Sequence, residues 1–245
     1  MYKNYKISTP FFEFGPKAYI WGEELLALAK QLDRLANKYD IDIILEPQTT
    51  DLRLIAGNTS ERIHVFAQHM DPIRPGRGMG TILAEAVRDT GAVGVMLNHA
   101  ERKLTLPEIA SAIARADEVG LATMVCADTE EEIRAVAALE PNIIVAEPSD
   151  LIGTGIAVGR EYVKACVKLV ADVNKNILVL PSAGISSGQD CYNIIRAGAV
   201  ASGSSSGICK APDRAAMAEE MIVAVRRAWD EARHLWEVSD AQRKH

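Results

Sequence analysis

Residues 142–155 read NIIVAEPSDLIGTG: an apolar run, a single glutamate at its tip, then a proline and a loop that closes in Gly-Thr-Gly. The run Ile143 to Ala146 offers no polar position, so a strand built from it has both faces covered. After the loop comes GREYVKACVKLVADV (159–173), in which apolar residues recur at helical spacing. A strand buried on both faces, followed by an amphipathic helix, is the repeating unit of a parallel α/β sheet. The fold therefore turns on how often that unit recurs.

It recurs from end to end. ISTPFFEF (7–14) precedes GEELLALAKQLDRLANKY (22–39), and DIDIILEP (40–47) precedes a short helix candidate at TTDLRLIAG (49–57). RIHVFAQHM (62–70) leads through the loop DPIRPGRGMG (71–80) into TILAEAVRDTG (81–91). AVGVMLN (92–98) precedes LPEIASAIARADEVG (106–120), whose Leu-Pro-Glu opening and closing glycine are start and stop signals. LATMVCA (121–127) precedes DTEEEIRAVAALE (128–140), with Asp128 or Thr129 as the cap. NILVLPSAG (176–184) precedes GQDCYNIIRAG (188–198), and AVASGSSSG (199–207) precedes a long helix beginning near Pro212. Eight near-equal units in 245 residues, with no break in composition, predict a closed (β/α)8 barrel forming one domain over 1–245, since such barrels run to about 250 residues. An open doubly wound sheet is the alternative that right-handed β-α repetition also allows.

Bulk composition narrows the function. The formal net charge of −6 argues against general nucleic-acid binding and repels anions at long range, but screening confines that field to about 8 Å at physiological salt. No apolar run reaches about 18 residues and no basic-then-apolar leader opens the chain, so neither membrane insertion nor export is expected and the protein is read as cytoplasmic. The four cysteines are far apart without a Cys-x-x-Cys, which fits buried thiols in a reducing compartment. His64 and His69 lack neighbours at metal-ligand spacing, so no metal site is expected.

Barrel chemistry sits at the C-terminal ends of the strands. There the sequence places Lys17 after Gly15-Pro16, Asn98-His99-Ala100-Glu101 after the fourth run, and Glu147 after the sixth. Ser-Ala-Gly184 follows the seventh, and Ser206-Gly207 the eighth. Singly each has an ordinary reading: a surface lysine, a structural histidine, a salt-bridging glutamate, a flexible Gly/Ser linker. Together they would bring a cation, an imidazole, a carboxylate and two glycine-rich anion cradles to one mouth. A partly desolvated Glu147 would have a raised pKa suited to a general base. His99, near the start of a helical turn, would stay neutral and polarise a carbonyl. Lys17 would pair with a phosphate or a developing oxyanion.

These segments resemble the triosephosphate isomerase family, in particular its short archaeal form. AEPSDLIGTG is similar to the family's catalytic glutamate and hinged lid, GVMLNHAER to its strand-four segment, and AGISSG and SSGICKAPD to its phosphate-binding turns. The resemblance implies a TIM barrel in which Glu147 shuttles a proton between adjacent carbons of a small phosphorylated sugar. His99 bonds the enediolate oxygens and Lys17 supplies positive charge, a division of labour taken from the family. It also implies that Glu101 is the buried partner within the strand-four segment. Backbone donors at Gly153, Gly184, Ser206 and Gly207 hold the phosphate, and Pro148 to Thr154 close over the site. No metal or organic cofactor is implied, and DPIRPGRGMG resembles a dimer-contact loop, implying a homo-oligomer (dimer or tetramer). Three positions depart from the pattern: Gly15 stands for asparagine, Ala100 for serine and Met79 for threonine. Interconversion of glyceraldehyde 3-phosphate and dihydroxyacetone phosphate is the leading expectation. The same chemistry on another short ketose phosphate, such as a tetrulose phosphate, is the alternative, with a non-catalytic sugar-phosphate binder as a third reading.

Overall fold

The structure is a computed structural model that describes the backbone of residues 1–243 and the side chains of residues 1–232. Eight parallel strands form one sheet: β1 (Phe11–Phe14), β2 (Asp42–Leu45), β3 (Ile63–Ala67), β4 (Gly94–Leu97), β5 (Ala122–Ala127), β6 (Ile143–Ala146), β7 (Leu178–Pro181) and β8 (Ala201–Gly203). From β1 to β7 each strand pairs with its sequence neighbour, and β8 returns to β1 with Phe11 opposite Ala201 and Glu13 opposite Gly203. The sheet so curls into a nearly closed barrel whose last seam, β7 to β8, carries no ladder among the described residues. The chain is thus the (β/α)8 barrel that the eight repeats predict.

Among the described residues the helices are α1 (Gly22–Tyr39), α2 (Leu52–Ala56), α3 (Ala84–Asp89), α4 (Leu106–Val119), α5 (Glu130–Ala137), α6 (Arg160–Val173), α7 (Gly188–Arg196), α8 (Ser206–Cys209) and α9 (Arg214–Arg243). None is long and apolar enough to cross a membrane. The start signals of α4 act as read: Thr105 and Glu108 form a reciprocal capping box, and Gly120 stops the helix at φ 81°. Of the two candidate caps for α5, Thr129 takes the role, accepting from the Glu132 N–H at 3.2 Å. Asp128 is thereby released for another contact described below. The short α8 between β8 and the last helix has no counterpart in the sequence reading. Of the first apolar run, only Phe11–Phe14 is strand, while Tyr5 and Ile7 pack against the interior cluster.

Strand alternation divides the core into two. Phe12, Phe14, Leu45, Val95, Ala127 and Ala146 face outward into the layer shared with the helices. Phe11, Ile44, Phe66, Met96, Met124, Val145 and Leu180 face inward and fill the barrel. Phe66 needs its neighbour to be bare, because a Cβ on Gly94 would meet the ring, with Cδ1 only 2.7 Å away. We expect Gly94→Ala to cost about 1–3 kcal/mol, the usual penalty for overpacking a filled core. Urea unfolding of the two proteins checks this; an unchanged midpoint would contradict the packing described.

Candidate active site

The strand ends open on a cavity of about 620 Å³, walled in part by Lys17, His99, Glu101, Glu147, Gly153, Gly184 and Ser206. Seven of the eight residues singled out from the sequence therefore meet at one rim. Gly207 is the eighth: it follows Ser206 in the chain but is not part of that wall. A Cβ there would lie 2.6 Å from Ser204 Oγ and 2.9 Å from the Ile185 carbonyl, so the position also requires a bare residue for packing.

Backbone geometry aims each functional side chain. Lys17 sits in the left-handed region at φ 49°, a conformation that costs energy in a residue with a side chain. Its carbonyl accepts from Gln48 Nε2 at 2.7 Å and Gln68 Nε2 at 3.0 Å, which hold it there. Asn98 is likewise left-handed at φ 58° and is buried. Its amide donates to the Cys126 carbonyl at 2.9 Å and to Glu132 Oε1 at 3.1 Å, while Oδ1 accepts from Leu104 N–H at 2.9 Å. The loop after β4 is therefore pinned at both ends, with His99 at its crest. Glu147 follows β6 and its N–H extends the ladder to the Ala127 carbonyl at 2.9 Å. Beyond Pro148 a 3-10 turn, Ser149–Leu151, begins the Gly-rich loop, and Ser149 is tied to Asp128 through its N–H (3.0 Å) and its hydroxyl (2.6 Å).

The side chains form a connected set. Glu101 N–H donates to His99 Nδ1 at 3.1 Å, which leaves the proton of the neutral ring on Nε2. That Nε2 faces Glu147 Oε2 across 3.7 Å, longer than a hydrogen bond, so both atoms are available to a third group. Burial first, and then the Lys17 ammonium, holds the His99 pKa down to about 4 from its ordinary 6.5. The sequence reading expected a neutral ring from a helix start; the direction agrees, but the cause is burial and a neighbouring cation. Burial raises the Glu147 carboxyl, with Lys17 opposing. Burial works against the Lys17 ammonium, but the Glu101 hydrogen bond and the surrounding carboxylates raise its pKa on balance.

Glu101 corrects an expectation. Far from being buried, its side chain is 65% exposed and reaches over the mouth to Lys17 Nζ at 2.7 Å, whereas the lysine side chain is only 24% exposed. The hydrogen bond with Lys17 lowers the Glu101 pKa. Opposite them, Gly153 (φ 73°) and Gly184 (φ 70°) adopt conformations that glycine tolerates best. At Gly184 a side chain would collide with the Ile156 carbonyl, so the glycine lets the loop after β6 rest on the loop after β7. The N–H groups of Gly153, Gly184 and Ser206 donate to no acceptor among the described residues, which leaves three donors beside the cavity.

Other residues of the site went unmarked in the sequence reading. Gln48 and Gln68 carry no signal in a single sequence, because their role is to hold a carbonyl brought near by folding. Glu13 and Glu46 do carry one: each is a lone carboxylate in an inward register of an apolar strand segment, FFEF and IILE, and both line the cavity while almost fully buried. Met79 lies at the tip of the 71–80 loop with its side chain fully in solvent.

The chain is similar to known proteins over most of its length. The sequence pattern of the triosephosphate isomerase family matches residues 16–191. The triosephosphate isomerase of Methanocaldococcus jannaschii is 39% identical over 204 residues, covering 82% of this chain and 92% of that protein. Those of Sulfurisphaera tokodaii and Methanothermus fervidus are 34% and 36% identical, covering 91% and 90% of this chain and 99% and 95% of their own. With most of its length accounted for in each comparison, the chain belongs to the triosephosphate isomerase family.

Proposed function

We propose that the protein is an aldose–ketose isomerase that interconverts glyceraldehyde 3-phosphate and dihydroxyacetone phosphate through an enediolate, as the names of its relatives suggest. The observation that carries this reading is the facing pair His99 Nε2 and Glu147 Oε2, set 3.7 Å apart in one buried cavity beside the Lys17 ammonium. Moving a proton between adjacent carbons requires a base that can take and return it, together with a donor for the oxygen that becomes negative.

Glu147 is the base. Its buried carboxyl has a raised pKa, so it carries the abstracted proton more readily than an exposed glutamate. The His99 Nε2–H donates to the carbonyl oxygen and, being neutral, can pass its proton between the two oxygens as the enediolate forms. Lys17, fixed by Glu101, supplies positive charge to that oxyanion. Gly153, Gly184 and Ser206 offer N–H groups to the phosphate, and Ile152 with Gly153 forms the wall that keeps water from the intermediate. Neither metal nor organic cofactor takes part. The family relationship and the fully exposed Met79 on the 71–80 loop support a homo-oligomer, dimer or tetramer, and four free buried cysteines fit a reducing cytoplasm.

A sugar-phosphate binder without catalysis would keep the N–H cradle but has no use for Glu147. Glu147→Gln is expected to lower kcat by at least about 100-fold, with KM changed far less. A loss smaller than about tenfold in a steady-state assay of triose phosphate turnover would remove Glu147 from the role of base. For His99, 15N chemical shifts of the imidazole should report the neutral Nε2–H tautomer at neutral pH and still at about pH 5.5, well above the depressed pKa. An imidazolium spectrum at about pH 6.5 would contradict the proposed electrophile.

A further inference from the structure

Two carboxyl groups inside the barrel have no task in the reaction above. Glu13 lies in β1 and Glu46 directly after β2, both on the inward face, because their neighbours Phe12, Phe14 and Leu45 point outward. They are 7% and 3% exposed. In most barrels such inward positions hold branched aliphatic side chains. Neither glutamate forms an ion pair or a side-chain hydrogen bond among the described residues, and Glu46 Oε1 is buried without a partner. A buried carboxyl left unpartnered is costly, so a pair of them lining a cavity points to a ligand that completes their hydrogen bonds.

Gly15 belongs to the same arrangement. A Cβ on it would lie 2.8 Å from Glu46 Oε2 and 2.9 Å from Glu13 Oε1, so the two carboxyls converge on the space where a side chain at 15 would stand. Both open into the cavity that contains His99 and Glu147. They sit at strand level, one layer below the loops that carry Gly153, Gly184 and Ser206. A sugar anchored by its phosphate on those loops would have the pair within the same cavity as its carbon chain.

The ligand chemistry follows from the groups. A second phosphate is disfavoured, since it would meet two acidic groups and only the Lys17 ammonium, which Glu101 already engages. No cluster of three or more His, Cys, Asp and Glu set for a metal ion exists among the described residues. Burial pushes the Glu13 carboxyl up to about 8 and raises the Glu46 carboxyl well above its ordinary range. Between them a carboxyl that holds its proton and carboxyl oxygens that accept match a hydroxyl, which both donates and accepts.

We propose that Glu13, Glu46 and the bare Gly15 form a subsite for a hydroxyl-bearing carbon beyond the three of a triose, so that the enzyme isomerises phosphorylated four-carbon sugars as well. This rests on the isomerase reading and extends its substrate class. A site that bonds the additional hydroxyl favours the longer substrate over one that lacks it.

The test measures kcat/KM of the full chain on glyceraldehyde 3-phosphate and on four-carbon ketose phosphates, before and after Glu46→Leu and the near-isosteric Glu46→Gln. The expected result is a four-carbon value at or above the triose value, and a four-carbon to three-carbon ratio that falls by at least about tenfold in Glu46→Leu. A wild-type four-carbon value below the triose value overturns the subsite and leaves the isomerase reading intact. So does a ratio unmoved by both substitutions. Absence of turnover on every substrate would overturn both. The wild-type comparison holds whether or not either variant folds.

Discussion

The hydrogen bond from the Glu101 backbone N–H to His99 Nδ1 is the contact on which the proposed chemistry of this site depends. It decides which ring nitrogen carries the proton, and so turns His99 into a donor aimed at Glu147 and not an acceptor. The bond exists because Asn98 takes a left-handed backbone conformation and spends its amide on the Cys126 carbonyl and Glu132, folding the loop back over the strand end. The same residue, Glu101, then fixes Lys17 through its carboxylate. One residue at the mouth thus sets the tautomer of His99 with its backbone and the position of the Lys17 ammonium with its side chain. That double duty explains how Glu101 organises the site while remaining exposed.

Electrostatics in the cavity are a balance of burial against one cation. Glu13, Glu46 and Glu147 are all raised by burial, and Lys17 opposes that shift at each. His99 is pressed toward neutrality by the same two influences, burial and Lys17. The site therefore combines a neutral imidazole, a base of raised basicity and a persistent ammonium, a combination that the chain's net charge of −6 does not suggest. In the proposed reaction, Lys17 and the N–H groups of Gly153, Gly184 and Ser206 would overrule the long-range repulsion of an anionic substrate, since screening shortens the wider field.

Much of the fold was legible because its signals are local. Runs such as IIVA and the nearly all-apolar ATMVCA read as strands covered on both faces, and the helix of residues 106–119 announces its ends through its Leu-Pro-Glu opening and Gly120. The rim residues were legible because barrel chemistry sits at strand ends, so Lys17, His99 and Glu147 could be found by position alone. What escaped the reading depends on contacts made only after folding. The exposure of Glu101 follows from how far the loop after β4 leans across the mouth. The packing role of Gly207 follows from where Ser204 and Ile185 come to rest. Asp128 exchanged a capping role for a tether on Ser149, a choice settled by tertiary geometry. The departure at Gly15 was visible as a missing asparagine, but its meaning was not, because the carboxyls that converge there come from Glu13 two residues earlier and from Glu46 on the next strand.

The central claim is that Glu147 takes a proton from carbon and returns it to the adjacent carbon while His99 serves the oxygens. Isomerisation of dihydroxyacetone phosphate in heavy water, followed by proton NMR, tests this most directly. The account predicts that glyceraldehyde 3-phosphate forms with deuterium at C2, because the proton held by a carboxyl can exchange with solvent before its return. Product formed at full rate without solvent deuterium, and at an undiminished rate in Glu147→Gln, would mean that hydrogen passes between the carbons without this carboxylate, and would contradict a base at Glu147.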